Sequence, residues 1–381
     1  MKYQSRTICF SANTSWYLYN FRYSILKSLK EEGYRIVCIA PFDIYSKKLI
    51  NELNIEWFSL NMNRRSINPL GEIRTIIQLC KIYKKISPDI CINFTIKNNI
   101  YGTIAAKLNN TLVINNITGL GTAFQNKGFL YYTAYYLYKT LLRYSNFIFC
   151  QNKSDFYFIR NEFKLDEKKI ILTPGSGVNL EKFKFKKKEK NNTFNFLFVG
   201  RLIQDKGINE LIDAFKLLNN NKYKCHLYIA GEIDENNRTA ISSEQFKKWQ
   251  LIPNITWLGS VNDMPKIYNS CDCIVLPSYS EGLPRSLIEA GAMGLPAIAS
   301  DIPGCNDIIS NDFNGYLCKV KDSNSLYLQM IKMLTLPSDK LKLLSKNSLD
   351  YVEEFFNETI VIDKTKKAVE QLLTFNKNVN P

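Results

Sequence analysis

Short, mostly apolar runs alternate along this chain with longer stretches whose apolar positions recur every three or four residues. The runs Arg6–Phe10, Tyr34–Ala40, Asp89–Phe94, Leu112–Asn115 and Asn146–Cys150 are rich in β-branched and aromatic residues. That pattern predicts short strands buried on both faces. Between them, Tyr17–Glu32, Pro69–Ile86 and Asn99–Leu108 carry the helical period. Strand–helix–strand alternation predicts a parallel, doubly wound sheet. The pattern pauses at the turn cluster Thr173-Pro-Gly-Ser-Gly177 and at a charged, aperiodic run over residues 182–192, then resumes. Phe194–Val199, Cys225–Ala230, Ile255–Leu258, Cys273–Pro277 and Ala297–Ser300 read as a second set of strands with helices between. The expected architecture is α/β, with two Rossmann-like doubly wound domains facing across a cleft: residues 1–180, a linker over 181–193, and residues 194–381. The last helix is free to pack back on the first domain. Ligands of such sheets bind at the carboxyl ends of the strands.

Composition changes this picture in three places. The net charge of +15 is uneven: residues 1–190 hold 30 Lys and Arg against 13 Asp and Glu, the remainder 20 against 22. An anionic partner therefore belongs to the first half. The ten cysteines are scattered through apolar runs, and the single histidine, His226, completes no zinc set. Reduced, buried thiols and no metal are expected. No secretory leader or bilayer-spanning run is expected, the longest uncharged apolar stretch being Gly128–Tyr138.

The second half carries the chemistry. Its first strand ends at Gly200, followed by Arg201 and by Lys206-Gly207 before the helix Ile208–Leu218. Two cations near a helix N-terminus suit a diphosphate. After the strand Cys273–Pro277 comes Ser-Tyr-Ser-Glu281-Gly282-Leu283-Pro284-Arg-Ser-Leu-Ile-Glu289. Its two carboxylates, eight residues apart, straddle a loop and the helix it feeds, and carboxylates accept paired hydrogen bonds from sugar diols.

With Gly231-Glu232 ending the next strand, these segments resemble the donor-binding domain of the family four retaining glycosyltransferases of GT-B fold. The resemblance implies that Arg201 and Lys206 hold and stabilise the leaving diphosphate, that Glu281 works at the donor sugar, and that Glu289 binds the ribose. Gly200, Gly231, Glu232, Gly282, Leu283 and Pro284 complete the donor site. In the first half, Asn93–Gly102 and Ile114–Phe124 resemble bacterial enzymes that build O-antigen, lipopolysaccharide, capsule or protein-glycan repeat units on undecaprenyl diphosphate. Where many members place a histidine, this chain has Thr118. The implied acceptor residues are Asn13, Arg22, Lys97 and Thr118. The implied reaction moves a hexose or N-acetylhexosamine from a UDP-sugar, N-acetylgalactosamine in α-1,3 linkage being the nearest resemblance.

No Asp-x-Asp motif holds a metal, and no cofactor is expected, the UDP-sugar being a co-substrate. The N-terminal loops offer no histidine or evident carboxylate base, as an inverting transfer needs. A retaining transfer uses the leaving phosphate oxygen instead, and Arg201 and Lys206 suit its stabilisation. Around Gly128–Tyr138, five tyrosines and Phe129 flanked by Lys127, Lys139 and Arg143 suit the headgroup zone of an anionic leaflet. A cytoplasmic protein, peripheral on the inner face of the membrane, is expected, with no nucleic-acid partner. The rival readings are a sugar-nucleotide epimerase of the same fold and a catalytically silent binder of nucleotide sugar or lipid.

Overall fold

A computed structural model describes residues 6–63, 68–120, 124, 128–185, 193–235 and 237–379. The chain forms two compact units, Met1–Ser176 with Glu358–Pro381, and Gly177–Asn357.

The first unit begins β1 (Thr7–Ser11), α1 (Ser15–Glu31), β2 (Arg35–Ala40), α2 (Ile44–Leu53), β3 (Glu56–Ser59) and α3 (Pro69–Ile86). It continues β4 (Ile90–Phe94), α4 (Ile96–Leu108), β5 (Leu112–Ile117), α5 (Phe129–Leu141), β6 (Phe147–Cys150), α6 (Lys153–Phe163) and β7 (Ile170–Leu172). The seven strands are parallel in the order β3-β2-β1-β4-β5-β6-β7. The order reverses between β1 and β4, which places the unit's binding crevice at their carboxyl ends. One sheet face packs on α1 and α2 through Leu18, Leu26 and Leu49, the other on α3, α4 and α6 through Leu79, Ile100 and Phe163. Local signals set the helix starts: Thr14 accepts from the Tyr17 amide, and Asp43 with Ser46 forms a capping box on α2.

The second unit runs β8 (Phe194–Val199), α7 (Ile208–Asn220), β9 (Cys225–Ala230), α8 (Ser243–Gln250), β10 (Ile255–Gly259), α9 (Met264–Ser270) and β11 (Cys273–Leu276). Then come α10 (Arg285–Ala292), β12 (Ala297–Ser300), β13 (Gly315–Cys318), α11 (Ser323–Leu334) and α12 (Ser338–Phe355). Its six parallel strands are ordered β10-β9-β8-β11-β12-β13 and reverse between β8 and β11. The fold class expected from the sequence is the one observed in each unit.

The units divide at Ser176 and Asn357, and the last helix packs on the first unit, an arrangement the sequence left open. The second unit stops at Asn357, and the final helix α13 (Glu358–Val379) belongs to the first, where Val369 and Leu372 join the core under α1. Phe183, in the stretch read as linker, is buried in the second core beside Tyr268. Residues 186–192 of that stretch lie outside the described residues. None of the ten cysteines forms a disulfide, and all but Cys80 are buried.

An uncharged polar network runs through the first unit's core. Asn93 donates to the Asn115 side chain (3.0 Å), and Tyr83 donates to Asn93 (3.2 Å). Asn115 in turn donates to Thr103 and Ser145, both at 2.7 Å. Buried amides are stable only when so partnered. Asn115→Ala, which strands the Asn93 amide, is expected to lower unfolding free energy by roughly 2 kcal/mol or more, read from urea unfolding.

Candidate donor site in the second unit

The carboxyl ends of β8, β9 and β11 lie backbone against backbone. A Cβ on Gly231 would stand 1.8 Å from the Gly200 carbonyl oxygen, and one on Gly207 would stand 2.0 Å from that of Pro277. Gly207 is also left-handed, at φ 67°. Only glycine fits either position. Hydrogen bonds fasten the same loops: Leu202 donates to the Glu232 carbonyl (2.9 Å), and Tyr279 to that of Asp205 (2.8 Å).

This stitching brings the expected residues together in pairs. Lys206 and Glu281, 75 positions apart, form an ion pair with side chains only 20% and 11% exposed. Arg201 is 54% exposed and pairs with the sheltered Asp234 at 2.8 Å. Glu289, one turn into α10, accepts from Arg285 Nε (2.8 Å) on one oxygen and from the Tyr268 hydroxyl (3.1 Å) on the other. Burial first, and then the Glu289 charge, pushes the Tyr268 phenol well above its ordinary range, so it remains a donor. The first turn of α10 follows Gly282, Leu283 and Pro284 and has no side-chain cap, which leaves backbone amides for a ligand. Glu232 is exposed and contributes its carbonyl to the stitching. Asp234 and Tyr268 escaped the sequence reading. Asp234 lies in the acidic stretch after Gly231, whereas nothing in α9 marks a tyrosine whose partner lies 21 residues onward.

The arrangement is a pair of cations held beside carboxylates at the switch point of a doubly wound sheet. A diphosphate can take up the cations, and Glu289 stands ready-oriented for a diol. His226 sits on β9, bonded to Thr256 (2.8 Å) and packed against the Tyr228 ring at a tilt, with its pKa lowered by burial. It is a packed strand residue.

The residues expected at the acceptor lie at the same edge of the first unit's sheet. Asn13 precedes the α1 cap, Thr118 follows β5, and Lys97 occupies the first turn of α4. Lys97 is engaged by Glu72 (2.5 Å) and the Asn63 carbonyl (2.8 Å), while Tyr101 donates to the other Glu72 oxygen. Arg22 is buried within α1.

On α5, Tyr131 and Tyr135 pack against Phe124, and Phe158 with Phe163, respectively; Tyr138 is buried. Phe129, Tyr132 and Tyr136 face outward. Lys127 lies outside the described residues. On α3, Leu70, Ile73 and Ile77 are also exposed, and α3 and α5 both pack on α4. No helix among the described residues is long and apolar enough to cross a membrane.

Fold and site together define a two-unit glycosyltransferase of the GT-B class. Residues 7–152 match the model of the family described as glycosyl transferase 4-like, and residues 179–350 that of glycosyl transferases group 1. The chain belongs to this glycosyltransferase family. It is 30% identical, over 93% of its length and 96% of the relative's, to the N,N'-diacetylbacillosaminyl-diphospho-undecaprenol α-1,3-N-acetylgalactosaminyltransferase of Campylobacter jejuni. It is 29% identical, over 79% of its length and 80% of the relative's, to the UDP-Gal:α-D-GlcNAc-diphosphoundecaprenol α-1,3-galactosyltransferase of Escherichia coli. Among solved structures, a glycosyltransferase from Rickettsia africae aligns at TM-score 0.77 and 19% identity, covering 97% of this chain and 99% of that one. Sucrose-phosphate synthase from Thermosynechococcus elongatus aligns at TM-score 0.79 and 17% identity, with the same coverage.

Gly207→Ala adds a left-handed penalty and a backbone clash, and is expected to cost about 2 kcal/mol or more, lowering the melting temperature by roughly 4 °C or more. In differential scanning fluorimetry, Gly71→Ala, where a Cβ meets open space, serves as the control and should not lower it.

Proposed function

We propose that this enzyme moves a hexose or N-acetylhexosamine from a UDP-sugar to an undecaprenyl-diphosphate-linked sugar, with retention at the anomeric carbon. N-acetylgalactosamine, transferred in α-1,3 linkage, is the first donor to test, because the Campylobacter relative bears that name across nearly its whole length. The observation that carries the reading is the Lys206–Glu281 pair at the β8–β11 switch point.

The donor diphosphate lies over the first turns of α7 and α10, and Lys206 and Arg201 exchange their carboxylate partners for its oxygens. Glu289 takes the ribose diol, and Glu281, released from Lys206, faces the donor sugar. The bond from the anomeric carbon to the phosphate oxygen breaks as the acceptor oxygen bonds to the same face. The acceptor hydroxyl proton passes to the leaving phosphate oxygen, whose charge the two cations stabilise. This chemistry calls for neither metal nor cofactor.

The first unit takes the acceptor at the edge formed by Asn13, Arg22, Lys97 and Thr118. Its outward α5 and α3 residues rest on the inner leaflet of the cytoplasmic membrane, where flanking Arg74, Lys81 and Lys139 favour anionic lipid.

UDP release from a panel of UDP-sugars, with and without a synthetic polyprenyl-diphosphate-sugar, tests the reaction. Acceptor-dependent release with one donor is expected, and Lys206→Ala or Glu281→Ala should lower kcat/KM by about 10²–10³. Turnover of the donor without any acceptor product would favour the epimerase reading, and none with any UDP-sugar would favour a silent binder. For the membrane contact, Phe129→Ser with Tyr136→Ser should weaken co-sedimentation with anionic vesicles about fivefold or more. Unchanged sedimentation would place the contact elsewhere.

A further inference from the structure

Arg22 is the largest of the fully buried side chains, at 1% exposure. Its Nε and Nη2 donate to the Tyr17 hydroxyl at 3.2 and 2.6 Å. Its guanidinium lies over the rings of Phe94 (4.5 Å) and Tyr17 (5.4 Å). No carboxylate among the described residues pairs with it. One hydroxyl and two ring faces offset only part of the cost of holding a full charge out of water. A cation retained under those conditions points to an anion that arrives from outside.

The position of Arg22 indicates where that anion lands. Phe94 ends β4, one of the two strands between which the sheet order reverses. The next residue, Thr95, stands at φ 74° and ψ 156°, and its hydroxyl turns to Asn98 (3.3 Å) instead of capping α4. The first amides of α4 therefore have no side-chain cap. Asn98 also reaches Ser11 at the end of β1 (2.7 Å), tying both sides of the switch point together. The other cation at this edge, Lys97, is already matched by Glu72. On the guanidinium, Nε and Nη2 are taken by Tyr17, and Nη1 has no protein partner among the described residues.

We propose that Arg22 is the anion-binding residue of the first unit, and that its ligand is the diphosphate of the lipid-linked acceptor, taken through Nη1 beside the first turn of α4. Tyr17 is a positioning residue that fixes the guanidinium from behind. The assignment rests on the acceptor class proposed above and deepens it. The acceptor is recognised by the charge that every diphosphate-linked carrier shares as well as by its terminal sugar.

The test compares two acceptors bearing the same terminal sugar, one on an alkyl diphosphate and one on an uncharged alkyl glycoside. The wild-type enzyme is expected to prefer the diphosphate in kcat/KM. Arg22→Gln should lose roughly 30-fold on the diphosphate acceptor, the weight of a charge-assisted contact, and less than about 3-fold on the uncharged one. The loss should appear in acceptor KM, with Arg22→Lys retaining part of the preference. Tyr17→Phe, which keeps the packing, should skew the two acceptors in the same direction. Equal losses on both acceptors, or a loss confined to the KM for the UDP-sugar, would overturn the assignment. If Arg22→Gln does not fold, an unskewed Tyr17→Phe overturns it. A wild type indifferent to the diphosphate sinks this proposal alone, whereas one that transfers to neither acceptor sinks the transfer reading with it.

Discussion

Two glycines in the second unit stand where a Cβ would collide with a neighbouring carbonyl: Gly231 against Gly200, and Gly207 against Pro277. That closeness fixes the ends of β8, β9 and β11 as one surface, because each loop is the wall against which the next is packed. The side chains that leave those loops inherit the geometry. Lys206 meets Glu281, and Arg201 meets Asp234, because their backbones cannot move apart without breaking the hydrogen bonds donated by the Leu202 and Tyr279 amides. A site built this way spends little of its binding energy on ordering loops when ligand arrives.

The two units manage charge differently. In the second, cations and carboxylates are already matched, Lys206 with Glu281 and Arg201 with Asp234. In the first, an uncharged hydrogen-bonded network runs through Asn93 and Asn115, while Arg22 carries a charge the protein itself does not balance. The excess of Lys and Arg in the first half is in keeping with an anionic acceptor and an anionic leaflet.

Central strands were legible in the sequence because burial on both faces makes their apolar runs continuous: Phe194–Val199, Cys225–Ala230 and Ala297–Ser300 coincide with β8, β9 and β12. Of the edge strands, β10 was read at Ile255–Leu258, but β3, β7 and β13 were not. β3 begins with a glutamate and is half-exposed, β7 has three residues, and β13 opens with a glycine, so each lacks the run that marks a strand. The residues expected at the donor are ones that the loops after β8 and β11 bring together, their spacing preserved by a loop and its helix. Tyr268 and Asp234 were not legible, since their roles come from pairings across the fold. The tyrosine cluster of α5 divides by helical phase, some rings packing on α6 and others facing outward. The allegiance of α13 rests on tertiary packing, through Val369 and Leu372, that no local pattern reports.

The central claim is that the matched cations of the second unit exist to receive a diphosphate. Titration calorimetry of the full-length protein with UDP, UMP and uridine tests it directly. UDP should bind about tenfold or more tighter than UMP, with uridine weaker again, since each charge-assisted contact is worth about 1.5–3 kcal/mol. Equal affinity for UDP and UMP would show that Lys206 and Arg201 stay with their carboxylates, and that the site does not read the second phosphate.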